Sequence, residues 1–288
     1  MQRNILGQYE KAVLVRGVKA NSSCSGSSYS GSVTSILLSA FDNKKIDGVV
    51  ATKNGENPLK PEPIYAKSQK EILSSAGMRH TYSSHIPALS RVKKNEKIAF
   101  VGLPCHVAAA SKLRDKFNIE YLIGIACGTN YDYGKFTSLV KEHGIAPSEI
   151  KKYTLRDTRN FMPYFHFETE DKRIDIPVSR TVDCRHDNCK KCEDYLDKDS
   201  DISFGTLGAP KGWSIAFIRN SKGKELLDLA EKKGYVETKP VKDSYFSKLY
   251  RFFPRKTYLY LSFKTDNLTG TYLMADFKKK YLRKMLMG

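Results

Sequence analysis

The chain has 288 residues, enough for one large domain or two modest ones with a real buried core. Its 40% hydrophobic and 28% charged residues exclude a wholly disordered chain, and no run approaches the roughly 20 apolar residues that span a bilayer. Lys and Arg number 49 against 31 Asp and Glu, so the net charge of +18 calls for an anionic partner. Charge alone does not choose among nucleic acid, acidic lipid, acidic protein and a polyanionic coenzyme.

The opening stretch MQRNILGQYEKAV lacks the continuous apolar core of a signal peptide, so the expected compartment is the cytoplasm. No internal repeat is visible. EKAVLVRG at 10–17 predicts a strand, the polar loop NSSCSGSSYSG follows, and Val33 to Phe41 predicts a helix. Ile46–Thr52 is a short buried strand and NGENPLKPEP a proline-rich loop. Residues 67–73 and 85–94 read as helical, and KIAFV at 97–101 as a strand. Pro104 opens a helix at the position where proline is best tolerated, and IEYLIGIA at 119–126 is a strand apolar on both faces. This alternation predicts an α/β layer with parallel strands.

From about 150 the pattern changes. KKYTLRDT, YFHFETE and RIDIPVS predict short antiparallel strands, followed by a cysteine cluster, DISFGT, the turn LGAPKG, the strand WSIAFIR and the helix KGKELLDLAEKK. The last 48 residues carry 11 Lys or Arg against 3 Asp, with 11 aromatic residues. Their Leu, Met, Phe and Tyr recur at three- and four-residue steps from Leu273 to Leu286, the pattern of a basic amphipathic helix. Such a helix suits the chain's own core, a partner subunit or an anionic membrane surface.

Six cysteines stand at 24, 105, 127, 184, 189 and 192. Only Cys189-Lys-Lys-Cys192 has ligand spacing by itself, which fits zinc, an iron–sulfur cluster or a redox dithiol. Cys105 and Cys127 each follow a buried strand, KIAFVGLPC and EYLIGIAC, at the carboxyl ends where open α/β sheets bind ligands. Two small core thiols are the plain alternative for that pair. Four thiolates from three segments suit a tetrahedral zinc or a cubane cluster, and the apolar surroundings of two of them favour the redox cluster. Ser30, Gly31, Ser32 and Thr34 open a helix and offer N–H groups and hydroxyls to a pyrophosphate, or form an ordinary cap. Gly205-Thr206-Leu207-Gly208 and Gly212-Trp213-Ser214 bracket a hairpin turn. Arg156, Arg159 and Lys172 suit either an anionic pocket or the plain surface.

VGLPCHVAAASKL, LIGIACGTN and CKKCEDYLDKDSDISFGTLGAPKGWSIAFIRNSKGKELL, in this order, resemble the beta-subunit family of coenzyme F420 hydrogenases and dehydrogenases. SGSVTSILLSAFDNKKIDGVVAT resembles the family's flavin-side helix and strand, and AGMRHTYS its AGxKY segment. The resemblance runs from about residue 8 to 240. It implies an F420-dependent oxidoreductase carrying FAD and one 4Fe–4S cluster, which exchanges hydride with coenzyme F420 and electrons with a partner protein. Cys105, Cys127, Cys189 and Cys192 fall on the cluster-ligand positions. Arg79, Tyr82, Ser30, Gly31, Ser32, Thr34, Gly205, Gly208, Gly212, Trp213 and Ser214 fall beside the flavin. The chain departs from the family in having Ser30-Gly31 for a Gly-Gly pair and Arg79 for a Lys, which keeps charge but not geometry. Cys184 and Cys24 have no clear counterpart, and His106 is expected to stand behind the ligands rather than act as a base.

The expected fold class is α/β, becoming α+β in the C-terminal half, with a layered mixed-sheet core, an iron–sulfur segment and a basic helical tail. The expected regions are 1–149 on the flavin side, 150–240 for the cluster and coenzyme and continuous with the first, and 241–288 as the tail. Two other readings compete: the same fold reducing a different acceptor, and a zinc-stapled nucleic-acid-binding protein suggested by charge and CxxC. The absence of a nucleic-acid motif weighs against the last, so the expected partners are coenzyme F420, an electron-transfer protein and, through the tail, an anionic membrane surface.

Overall fold

The computed structural model describes residues 6–20, 30–156, 164–192, 194–242 and 245. Cys24, Arg159 and the amphipathic pattern of the basic tail lie outside them.

The elements run β1 Lys11–Gly17, α1 Ser32–Asp42, β2 Gly48–Asn54, β3 Pro61–Ala66, α2 Gln69–Ser74, a 3-10 turn Ile86–Arg91, β4 Ile98–Gly102, α3 Pro104–Ser111, β5 Ile119–Ile125 and α4 Tyr133–Glu142. Then come β6 Lys152–Arg156, β7 Tyr164–Glu168, β8 Arg173–Pro177, α5 Asp187–Lys190, β9 Ile202–Gly205, β10 Ser214–Ile218, α6 Ser221–Lys232 and β11 Val236–Pro240.

Eight strands form one sheet in the order β11-β1-β10-β9-β5-β4-β2-β3. The centre, β9-β5-β4-β2, is parallel. The flanking strands β10, β1, β11 and β3 are antiparallel to their neighbours. The sheet is therefore mixed, as the expected mixed-sheet core requires, and its parallel centre comes mainly from the stretch where strand and helix alternate. Strands from before and after residue 150 share it.

Alternation along the central strands divides the core. Ala99 and Val101 of β4 face a cluster with Ile36, Leu37, Ala40, Leu226 and Leu227 of α1 and α6. Ile98 and Phe100 face the opposite side, with Val107 and Ala110 of α3 and Ala88 and Leu89 of the 3-10 turn. Helices on both faces explain why β4 is apolar throughout and β5 is so apart from Glu120. The three antiparallel strands β6-β7-β8 form a separate small sheet whose Phe165 and Phe167 pack on Phe136 and Val140 of α4.

One expected loop is half strand: Pro61 and Pro63 lie in β3. Proline donates no ladder hydrogen bond, but β3 is an edge strand and needs donors on one side only. Among the described residues no helix is long and apolar enough to cross a membrane.

Candidate functional site

The strand register collects the candidate residues on one edge of the large sheet. Gly102 of β4 lies opposite Gly124 of β5, Ile125 opposite Phe204 of β9, Ile215 of β10 opposite Gly205, and Val15 of β1 opposite Ser214. The ends of β4, β5, β9 and β1 and the start of β10 therefore emerge together. This is the carboxyl edge of the parallel strands, where ligands of open α/β sheets sit.

The first half of the edge is built around α1. Its N-cap, Gly31, has a left-handed backbone (φ 64°) and no side chain to cap the helix, while the Ser32 N–H donates to Ser30 Oγ (3.3 Å). The first turn holds no acidic residue. Ser30 Oγ shares hydrogen bonds with Ser32 Oγ (2.7 Å) and Ser214 Oγ (2.6 Å), joining the helix start to the start of β10. All three serines and Thr34 are buried. Gly17 makes this approach possible, since a Cβ there would stand 2.4 Å from the Gly31 carbonyl oxygen. A helix start with glycine at its N-cap, hydroxyls and no carboxylate has the donor chemistry that an anionic group such as a pyrophosphate needs.

Trp213 lies beside Ser214, buried at 8% exposure, with the Arg16 guanidinium 4.9 Å and the Lys239 ammonium 4.7 Å from its ring centroid. Gly208 and Gly212 occupy the preceding turn, both with positive φ. A Cβ placed on Gly205 would lie 3.3 Å from Ala126 Cβ, which brings the end of β9 against the residue before Cys127. Arg79 donates to Asn54 Oδ1 at the end of β2 and to the carbonyls of Ser74, Ser75 and Gly77, so its guanidinium closes the end of α2. Lys172 lies in the exposed turn between β7 and β8, away from any apolar cover.

The second half carries the thiols. Cys105 is in the first turn of α3 and Cys127 follows β5. Cys105 is exposed, yet desolvation by the protein around its thiol first, and then the negative charge of Cys189 and Cys192, push it above its ordinary pKa. These three groups are close enough to repel as thiolates. The Cys127 N–H donates to the Tyr195 carbonyl (2.9 Å), just past Cys192, so its turn runs beside the Cys189–Cys192 turn. The five described cysteines are all free thiols. Among the described residues no three His, Cys, Asp or Glu side chains already form a metal-holding group. Convergence and mutual repulsion of the thiols nevertheless suit a cationic metal group, which relieves the repulsion and takes thiolate ligands.

Cys184 is different. It is buried, its Sγ lies 3.5 Å from the Lys135 carbonyl, and burial pushes its pKa up to about 11. It packs with Phe136 and Phe165 under the small sheet.

An aromatic group joins residues next to the cysteine-bearing turns, and sequence reasoning named only two of its members. Tyr82, 41% exposed, stacks on His186 (4.7 Å between centroids) and meets His106 edge-on (5.7 Å). His106 lies 4.3 Å from His85, and neither of its buried ring nitrogens has a hydrogen-bond partner among the described residues. The His85 Nδ1–H donates to the Val101 carbonyl (2.7 Å). Burial lowers the pKa of His85 to about 4 and that of His106 to about 3, so both are neutral imidazoles at pH 7. Arg185, also missed, is buried beside Cys189. In the sequence it stands in a polar run, where a surface position is the ordinary expectation.

Fold and edge together define a mixed-sheet α/β protein whose carboxyl edge has a polar helix start and a cysteine-bearing half. The family models describe it further. Residues 15–90 match the N-terminal part, and 95–244 the C-terminal part, of the coenzyme F420 hydrogenase/dehydrogenase beta subunit. The chain belongs to this family of oxidoreductase subunits. It is 29% identical over 227 residues to the coenzyme F420 hydrogenase subunit beta of Methanothermobacter thermautotrophicus, covering 74% of this chain and 78% of that one. It is 27% identical over 243 residues to the coenzyme F420-dependent sulfite reductase of Methanocaldococcus jannaschii, covering 77% of this chain and 38% of that protein. A chain of the F420-reducing [NiFe] hydrogenase complex from Methanosarcina barkeri superposes with a TM-score of 0.76 and 26% identity, over 89% of this chain and 91% of its own length.

Proposed function

We propose that this chain is the F420-handling subunit of an electron-transfer complex, with a flavin and one 4Fe–4S cluster on the same sheet edge. The observation that supports the reading is one sheet edge that carries both a helix start free of carboxylates and the turns bearing Cys105, Cys127, Cys189 and Cys192. FAD would supply the exchange of hydride for single electrons, and the cluster a single-electron relay.

Ser30, Gly31, Ser32 and Thr34 would hold the flavin's pyrophosphate with backbone N–H groups and hydroxyls, and Ser214 fixes that loop through Ser30. Trp213, with its ring covered by Arg16 and Lys239, would bring positive charge to the same end. Gly205, Gly208 and Gly212 keep the neighbouring turn narrow. Arg79 and Tyr82 would flank the flavin on the side of β2. Cys105, Cys127, Cys189 and Cys192 would ligate the cluster as thiolates. His106 is buried and neutral at pH 7, so it would add no charge beside the thiolates. The surplus of Lys and Arg favours an anionic coenzyme and an acidic partner surface.

The likeness to the sulfite reductase supports a second reading in which this fold delivers electrons to another acceptor. Both readings keep the cofactors. They are tested by anaerobic reconstitution of the full chain, followed by flavin, iron and sulfide analysis. One flavin and one cluster per chain is the expected result. A colourless chain holding stoichiometric zinc would refute the proposal.

A further inference from the structure

Arg185 is only 7% exposed, a rare burial for a guanidinium. Its Nε–H donates to Thr129 Oγ1 (2.9 Å) and its Nη2 donates to the Cys189 carbonyl (3.2 Å). Thr129 belongs to the Cys127-Gly-Thr turn after β5, and Cys189 opens the CxxC turn. One side chain thus spans the two cysteine-bearing turns. The backbone around it does the same: the Asp132 N–H donates to the Cys184 carbonyl (2.8 Å), the His186 N–H to Asn130 (2.9 Å) and the Cys189 N–H to His186 (2.9 Å). Tyr131 bridges Arg185 as a short antiparallel pair. Residues 130–132 and 184–186 therefore form a ladder that ends with the guanidinium beside Cys189.

Two consequences follow from chemistry. A planar fork with fixed donors can join two acceptors on different turns, and a lysine ammonium cannot do so with the same geometry. A fixed positive charge beside thiolate ligands also favours the more negative, reduced state of the group that they hold. Hydrogen bonds and net charge around the ligands are the protein's means of setting such a potential.

We infer that Arg185 is a positioning residue for the thiolate-bound group: it locks the Cys127 turn to the Cys189–Cys192 turn, and its charge raises that group's reduction potential. The inference rests on the reading of these cysteines as cluster ligands.

The test compares the reconstituted full chain with its Arg185→Gln, Arg185→Lys and Thr129→Val variants. The readouts are iron and sulfide content, rate of iron loss to a chelator, and midpoint potential by spectroscopic titration. Arg185→Gln should shift the potential to a more negative value and weaken retention of the cluster about 10-fold or more. Arg185→Lys should weaken retention while keeping the potential near that of the unaltered chain, because charge remains and the fork is lost. Thr129→Val should do the same by removing one acceptor. These two variants carry the test if Arg185→Gln does not fold. A loaded Arg185→Gln chain with unaltered potential and retention overturns the inference alone, as does a Lys variant whose potential falls as far as the Gln variant's. An unaltered chain that takes up no cluster overturns the ligand reading first, and the inference with it.

Discussion

Cys184 and Cys189 lie in one short segment, but their surroundings prepare them for different work. Cys184 sits among phenylalanines, with its thiol held neutral by burial. Cys189 sits at a turn with Cys105 and Cys192 in electrostatic reach. Cys189→Ser should therefore abolish or degrade the paramagnetic signal of the reduced cluster, whereas Cys184→Ser should leave the signal and the iron content unchanged and cost only packing. A Cys184→Ser chain without cluster, or a Cys189→Ser chain with a full one, would reverse the assignment.

The same scale carries a pH dependence. Burial holds the pKa of His85 near 4 against an ordinary 6.5, so the unfolded chain takes up its proton first as pH falls. The folded state thus loses stability from about pH 6.5 down to about 4, by about 1.4 kcal/mol for each unit of depression. His85→Gln keeps a donor for the Val101 carbonyl and has no proton to gain. Its denaturation midpoint should fall less than that of the unaltered chain over this window, and equal slopes would contradict the account.

At the scale of elements, two junctions decide whether the edge is assembled. One is Asp201, fully buried at the start of β9. It accepts from Arg114 (3.0 and 2.8 Å), from the Leu122 N–H of β5 (2.8 Å) and from Asn220 at the cap of α6 (2.8 Å). Removing one partner of a buried, hydrogen-bonded pair costs about 3–5 kcal/mol, since the other is left uncompensated. Asp201→Asn should lower the urea midpoint accordingly, toward the smaller figure because Arg114 keeps some contact with water. The other junction is Gly17 against the Gly31 carbonyl. Gly17→Ala must displace the start of α1 and should weaken flavin retention well before it unfolds the sheet, as flavin release against temperature would reveal.

These elements also mark what could be read in the sequence. β4 and β5 are legible because strands covered by helices on both faces are almost wholly apolar, and α3 because Pro104 opens it. The Pro61–Pro63 stretch reads as loop because its two prolines are decided by edge position, which is a property of the sheet rather than of the segment. The thiols were legible through their positions after strands and the CxxC spacing. Arg185, His85 and Thr129 were not, because their partners lie in other segments and no local pattern separates a buried polar residue from a surface one.

At the scale of the whole molecule, the mixed topology explains how one edge can carry both halves of the site. β10 runs against β9, and β1 against β10, so the start of β10 and the end of β1 join the carboxyl edge of the parallel centre. A purely parallel sheet would send Ser214 to the opposite edge, away from the thiols. The same continuity, with strands from before and after residue 150 in one sheet, ties the polar helix start to the cysteine turns through hydrogen-bonded backbone. The charge of +18 acts at this scale too. Capture of a polyanionic coenzyme by a basic surface should weaken as added salt shortens the screening length from about 10 Å at 0.1 M to about 3 Å at 1 M.

The most direct measurement is anaerobic mixing of reduced coenzyme F420 with the full chain reconstituted with FAD and iron and sulfide, with a viologen or quinone dye as final acceptor. The account predicts bleaching of the bound flavin by reduced F420, turnover of the dye, and loss of both in a chain stripped of flavin. Dye turnover with NADH and none with reduced F420 would contradict it.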